Sequence, residues 1–228
     1  MTSLAGQTVL VTGANRGMGR HYVSQLLERG AAKVYAAARD PHSIDVDDPR
    51  VVPLALDVTD AESVAAAVKA APDVSVLINN AGIARLTSVL DPDSTALREQ
   101  LETNLLGPLA LAAAFADGIA ERSGAVVNVS SVLAWLPVGA SYGVSKAALW
   151  NATDSMRTEL APRGVQVVGV YVGLVDTEMG AFADAPKSDP ADVVRQVLDG
   201  IEAGAQEVLA DEVTRDVRRQ LGTPLDER

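Results

Sequence analysis

Thr12-Gly13-Ala14-Asn15-Arg16-Gly17-Met18-Gly19 is the stretch that decides the fold. It follows an apolar run at residues 7–12, of buried-strand length, and opens a helical pattern at 17–29 that stops at Gly30. A strand that turns through glycines into a helix leaves backbone N–H groups unpaired and exposes the positive end of the helix dipole. Glycine also lets the backbone come close to a bound group. Strand, glycine turn and helix in this order imply a dinucleotide phosphate cradle rather than an ordinary glycine-rich turn.

Downstream, apolar runs of strand length alternate with helical stretches. Strands are predicted at 33–38, 51–56, 74–78, 125–129, 165–172 and 207–209. Helices are predicted at 61–70, 92–102, 104–122, 140–160 and 190–202, with a bend near Gly107-Pro108. The charged stretch 211–228 reads as surface helix and tail. This alternation predicts a single α/β Rossmann domain over 1–228, a doubly wound parallel sheet of about seven strands with helices on both faces.

Composition narrows the chemistry. The chain has 228 residues, 48% of them hydrophobic, enough for one substantial core. It has no cysteine, which excludes disulfides, thiolate metal sites and thiol nucleophiles. Only His21 and His42 offer imidazoles, and two isolated histidines predict no metal site. The first residues lack the basic-plus-apolar pattern of a secretory signal, and no apolar run reaches the ~18 residues that span a bilayer, so a cytoplasmic protein is expected. A net charge of −11 argues against nucleic-acid or membrane-surface partners. It also means that an anionic cofactor needs a local positive site.

Tyr142-Gly143-Val144-Ser145-Lys146 puts a phenol and an ammonium one helical turn apart on one face. A neighbouring ammonium favours phenolate and is expected to lower the tyrosine's pKa, preparing Tyr142 for acid/base work. The second predicted strand ends at Ala38, where an NAD-selecting acid would stand, and Arg39 follows at once. With Arg16 in the glycine loop, two guanidinium groups would converge on a ribose 2′-phosphate, so NADP(H) is preferred and NAD(H) remains open. An Arg39–Asp40 surface pair is the competing reading.

The spacing Thr-Gly-x-x-x-Gly-x-Gly resembles the short-chain dehydrogenase/reductase family. Asn79-Asn80-Ala81-Gly82, Asn104 in Thr103-Asn104-Leu105, Asn128-Val129-Ser130-Ser131 and the Tyr142/Lys146 pair carry the same resemblance. It implies hydride transfer between NADP(H) and a carbonyl or secondary alcohol, with Asn104, Ser131, Tyr142 and Lys146 as the catalytic set. Ser131 precedes Tyr142 by 11 residues and Ser130 by 12, against the family's more usual thirteen, so Ser130 stays an alternative and the intervening loop is short. The implied cofactor contacts are Gly13, Asn15, Arg16, Gly17, Met18, Gly19, Arg39, Asp57, Val58, Asn80, Ala81, Gly82, Tyr142, Lys146, Gly173, Val175 and Thr177. Asp57 would hold the adenine amino group, Lys146 the nicotinamide ribose and Asn104 a proton-carrying water. Val172 replaces a family proline, which should loosen the following turn.

Specificity is expected from Ala84-Arg85-Leu86, Leu133, Leu136, Val138 and the segment 178–186 of a short lid between Thr177 and Pro190, with Trp135 and Phe182 as apolar walls or ordinary packing. The helices from Asn104 and Ala140 are apolar around much of their circumference, as in a homodimer or homotetramer interface, although alanine's helix propensity also accounts for the composition. Two other functions fit the fold. One is a catalytically silent NADP(H) sensor, which would more often lose members of the chemical set. The other is a sugar-nucleotide epimerase or dehydratase, which usually has a larger C-terminal part.

Overall fold

The computed structural model describes residues 2–91 and 95–223. Its strands are β1 (Thr8–Thr12), β2 (Lys33–Ala38), β3 (Val51–Ala55), β4 (Val76–Asn79), β5 (Ala125–Val129), β6 (Gln166–Tyr171) and β7 (Glu207–Leu209). The helices are α1 (Gly17–Glu28), α2 (Ala61–Ala70), α3 (Thr95–Leu101), α4 (Gly107–Glu121), α5 (Ala140–Leu160), α6 (Pro190–Glu202) and α7 (Glu212–Gln220). All strand pairs are parallel, in the order β3-β2-β1-β4-β5-β6-β7.

The period-two alternation of each strand feeds two cores. Val9, Val11, Val34, Ile78, Val127 and Val168 meet Tyr22 and Leu26 of α1 and Val197 and Ile201 of α6 on one face. Leu10, Leu54, Leu77, Val126 and Val167 meet Val64 of α2, Leu111 and Phe115 of α4 and Met156 of α5 on the other. Burying each such aliphatic side chain contributes roughly 1.5–3 kcal/mol, so neither helix layer can be stripped off cheaply. Because the order reverses between β1 and β4, their carboxyl ends border a crevice. The glycine loop leaves β1 there, and Asn79-Asn80-Ala81-Gly82 leaves β4 beside it.

Between residues 95 and 121 the sequence reading needs correction. The two expected helices joined by a bend are one continuous helix, in which α3 passes into α4 through a π-helical turn, Glu102–Leu106. The Gly107 N–H bonds the Glu102 carbonyl, and this wide turn takes up the bend that Gly107-Pro108 suggested. Gly107 lies under the 57–58 turn, where a Cβ would sit 2.9 Å from the Val58 carbonyl oxygen. The expected start at Pro92 lies outside the described residues. Thr95–Glu121 is long and apolar enough by composition to cross a membrane, yet it is a core layer here: Leu111, Phe115 and Ile119 lie against the sheet, and polar Gln100 and Asn104 are fully buried beside α5. Other boundaries shift little; β4 begins at Val76 and carries Asn79, β6 stops at Tyr171, and the expected charged tail is α7 followed by residues of which 224–228 lie outside the described set.

Candidate active site

The glycine loop is fixed from below by Thr12. Its Oγ1 accepts the N–H groups of Asn80 (3.0 Å) and Ala81 (2.9 Å), and the Asn80 side-chain amide donates to the carbonyls of Thr12 (2.8 Å) and Gly13 (3.2 Å). Gly13 has a φ of 63° and approaches so closely that a Cβ would lie 3.1 Å from the Ala81 Cα. At Gly19 a Cβ would lie 2.0 Å from the Gly13 carbonyl oxygen, so only glycine fits. Met18 packs beside Val172, Val175 and Val193, and Asn15 is half-buried in the loop. Arg16 holds the N-cap position of α1 without a side-chain capping bond, and no acidic residue sits in the first turn. An open helix start floored by residues that tolerate no side chain fits a dinucleotide phosphate.

Arg39 is exposed after β2, and among the described residues it has no salt-bridge partner. Asp40 does not pair with it; that carboxylate accepts the His42 N–H at 3.0 Å. Hydrogen bonds from the Thr59 hydroxyl (2.7 Å) and N–H (2.9 Å) hold the Asp57 carboxyl below the usual carboxylate range, with the charge of Arg39 adding a smaller pull. Arg16 departs from expectation: its guanidinium does not turn toward Arg39 but donates to Glu178 of the lid at 2.8 Å. A groove of about 620 Å³ beside this pair is lined by Gly17, Arg20 and His21 of α1 and by Asp176, Thr177 and Glu178; it flanks the glycine loop and does not reach Tyr142.

The chemical centre forms where β5, α4 and α5 meet. The short loop after Ser131 ends at Ala140 with a φ of 47°, a conformation that favours glycine, and α5 starts there, two residues before Tyr142. The adjacent serines diverge. Ser130 Oγ donates to the Lys146 carbonyl at 3.2 Å, while the Ser131 hydroxyl lies on the Tyr142 side and donates to the Val172 carbonyl at 3.3 Å. Ser131 Oγ also accepts the Leu133 N–H at 3.1 Å. Lys146 is 4% exposed; its Nζ donates to the Val129 carbonyl at 2.8 Å and lies 5.7 Å from the centre of the Tyr142 ring.

Burial sets the protonation of this pair. It pushes Tyr142 up to about 12, opposed by the neighbouring Ser131 hydroxyl, and pulls Lys146 down to about 8. The expected lowering of Tyr142 by its ammonium neighbour is therefore reversed, because desolvation outweighs a cation whose Nζ is turned to a backbone carbonyl.

Asn104, inside the π turn, is fully buried. Its Oδ1 accepts the Ile83 N–H at 2.9 Å, and its Nδ2 donates to the Ile83 carbonyl (2.9 Å) and to Ser145 Oγ (3.0 Å). Asn104 Oδ1 and Lys146 Nζ both crowd Gly82, where a Cβ would lie 3.2 Å and 3.7 Å from them. The wide turn thus pins the 82–83 loop over the lysine.

After β6, Gly173 N–H donates to Asp211 Oδ2 at 2.6 Å, and Asp211 Oδ1 caps α7 through Thr214 N–H at 2.8 Å. The turn that Val172 was expected to loosen is held by this carboxylate instead of by a proline ring. Val175 pairs with Ser188, and the Thr177 N–H closes on the Val175 carbonyl at 2.8 Å, so the lid is tied at both ends. Trp135 is core rather than pocket wall: it stacks on Tyr171 at 4.4 Å, meets Trp150 edge-on at 5.8 Å and lies under the Arg218 guanidinium at 5.6 Å. Phe182, by contrast, is 65% exposed on the lid. Arg85 pairs with Glu99 at 3.0 Å.

Sequence reasoning passed over three polar supports. Ser145 bridges Asn104 and the Tyr142 carbonyl (2.8 Å); its place on the inner face one residue before Lys146 was a readable signal. Asn128 accepts from Asn79 at 2.9 Å and donates to Thr153 at 3.0 Å, stitching β4, β5 and α5 together, and an asparagine inside a valine-rich strand was its trace. Asp211 left no local signal.

Residues 7–187 match the short chain dehydrogenase family. The chain is 35% identical over 187 residues to the 3-oxoacyl-[acyl-carrier-protein] reductase FabG of Vibrio cholerae, covering 78% of this chain and 77% of that protein. It is 31% identical over 233 residues to the ketoacyl reductase HetN of a Nostoc species, covering 93% and 81%. Among solved structures, a short-chain dehydrogenase from Burkholderia cenocepacia in complex with NADP superposes with a TM-score of 0.94 at 39% identity, over 100% of this chain and 97% of that one. Fold, glycine cradle and sequence likeness agree: the chain belongs to the short-chain dehydrogenase/reductase family of oxidoreductases.

Proposed function

We propose that this chain is an NADP(H)-dependent reductase of small carbonyl compounds, reversible to a secondary-alcohol dehydrogenase. One observation carries the reading: Tyr142, with the Ser131 hydroxyl beside it, stands near buried Lys146 at the crevice that the glycine loop opens. A nicotinamide cofactor, when bound, supplies or accepts the hydride. Ser131 and Tyr142 hold the substrate oxygen with their hydroxyls. Burial keeps Tyr142 protonated at neutral pH, so it donates its proton as that oxygen becomes an alcohol, and Ser131 orients the oxygen in both directions. Lys146 fixes the ribose and, with Asn104, starts the path that restores the proton; the lone pair of Asn104 Oδ1 not used by Ile83 is the place for a relaying water.

Gly13, Asn15, Gly17, Met18 and Gly19 would cradle the phosphates with Thr177. Asp57 and Val58 would meet the adenine, Asn80, Ala81 and Gly82 its ribose, and Gly173 and Val175 the nicotinamide. Free Arg39, Ala38 in place of an acid, and the NADP held by the Burkholderia protein support a 2′-phosphate. A cytoplasmic homodimer or homotetramer completes the proposal; the exposed apolar Leu106, in the π turn, and Val144, on α5, support the assembly.

The test is NADPH and NADH oxidation against aldehydes, ketones, quinones and 3-oxoacyl thioesters. Tyr142→Phe should cut turnover by about 10²–10⁴-fold with NADPH binding kept, and Arg39→Asp should weaken NADPH much more than NADH. Binding without turnover on every compound, unchanged by Tyr142→Phe, would point to a silent sensor; equal losses for both cofactors would remove the 2′-phosphate assignment.

A further inference from the structure

Two neighbouring contacts close the glycine loop onto the lid. Gly17 faces Thr177, whose methyl would lie 3.3 Å from a Cβ placed there, and Arg16 Nη1 donates to Glu178 Oε2 at 2.8 Å. Glu178 opens the short 3-10 turn of the lid, Glu178–Gly180, and Arg16 opens α1. The Arg16 side chain is 57% exposed and that of Glu178 72%, so each can let go without unfolding anything around it.

We infer that Glu178 is a cofactor-specificity residue: its carboxylate competes with the nucleotide 2′-phosphate for the Arg16 guanidinium. The inference rests on the 2′-phosphate reading given above. Glu178 takes the Arg16 Nη1 donor and offsets the guanidinium's charge, so while the pair holds, Arg16 offers a phosphate fewer donors and less attraction. That deficit is subtracted from the phosphate's affinity. An unphosphorylated nucleotide makes no such demand and leaves the pair in place. Arg39, with no carboxylate clamped on it, gives the site its basal preference, and Glu178 tempers it.

Glu178→Gln keeps the side chain's shape and removes its charge. Dissociation constants for NADPH and NADH, read from the fluorescence of the bound reduced nicotinamide in the absence of substrate, separate this effect from catalysis. The NADPH constant should fall about two- to fivefold, the range of an exposed ion pair, while the NADH constant stays put. In the Arg16→Ala background the same substitution should change neither. A Glu178→Gln protein with unchanged or equally changed constants for both nucleotides overturns the inference, as does an NADPH gain that survives Arg16→Ala. An Arg16→Ala protein with an undiminished NADPH-to-NADH preference would instead show that Arg16 never meets the 2′-phosphate, and the parent reading of that residue would fall. Melting curves of the ligand-free variants guard against misfolding as the cause.

Discussion

Lys146→Met should make the protein more stable at neutral pH while abolishing turnover. Lys146 is 4% exposed, and among the described residues the one acceptor its Nζ reaches is the neutral Val129 carbonyl at 2.8 Å. Burial without a counter-ion lowers its pKa from 10.5 to about 8. At ~1.4 kcal/mol per pH unit, holding the ammonium inside costs about 3 kcal/mol below pH 8. Between pH 8 and 10.5 the folded protein sheds this proton before the unfolded chain does, so the cost fades and stability rises with pH. Tyr142 acts in the opposite sense at higher pH: raised from 10.0 to about 12, it lets the unfolded chain ionise first, and stability falls above pH 10. Methionine keeps the apolar stem and removes the charge, at a cost of about 1 kcal/mol for the Val129 carbonyl left unpaired. The net gain of about 2 kcal/mol is about 4–8 °C in a chain of this size. Melting curves of both proteins at pH 7, 8.5 and 9.5 test this, since the gap should be widest at pH 7 and narrow as the pH rises. A variant that melts at or below the parent at pH 7, or a gap that does not narrow, refutes the desolvation argument.

Gly19→Ala should cost at least 2–3 kcal/mol and abolish NADPH binding, roughly the upper end of overpacking, because the new methyl meets the Gly13 carbonyl and the Ala14 Cα, both backbone; an unchanged urea midpoint would contradict it. Asn128→Leu should cost about 2–3 kcal/mol by stranding the Asn79 amide and the Thr153 hydroxyl in the core, and a loss under about 0.5 kcal/mol in denaturant titration would show that these bonds do not matter.

What the chain fixes locally is legible in the sequence. Strand alternation, glycine spacing and the one-turn separation of Tyr142 and Lys146 depend on backbone geometry within a few residues, and the described sheet and helices follow them. The helix through residues 95–121 was misread as two because a π turn has no short-range signature; its width suits Asn104, which must reach both Ile83 and Ser145.

Tertiary structure alone decided the rest, since each remaining answer depends on partners far away in the chain. Which of two adjacent serines faces Tyr142 was set by how β5 meets α5. Arg16 went to Glu178, 162 positions on, and the turn after Val172 was held by Asp211. Even the sign of the tyrosine's pKa shift changed, because sequence spacing places an ammonium nearby but only the packed crevice determines how much water is left to solvate either charge.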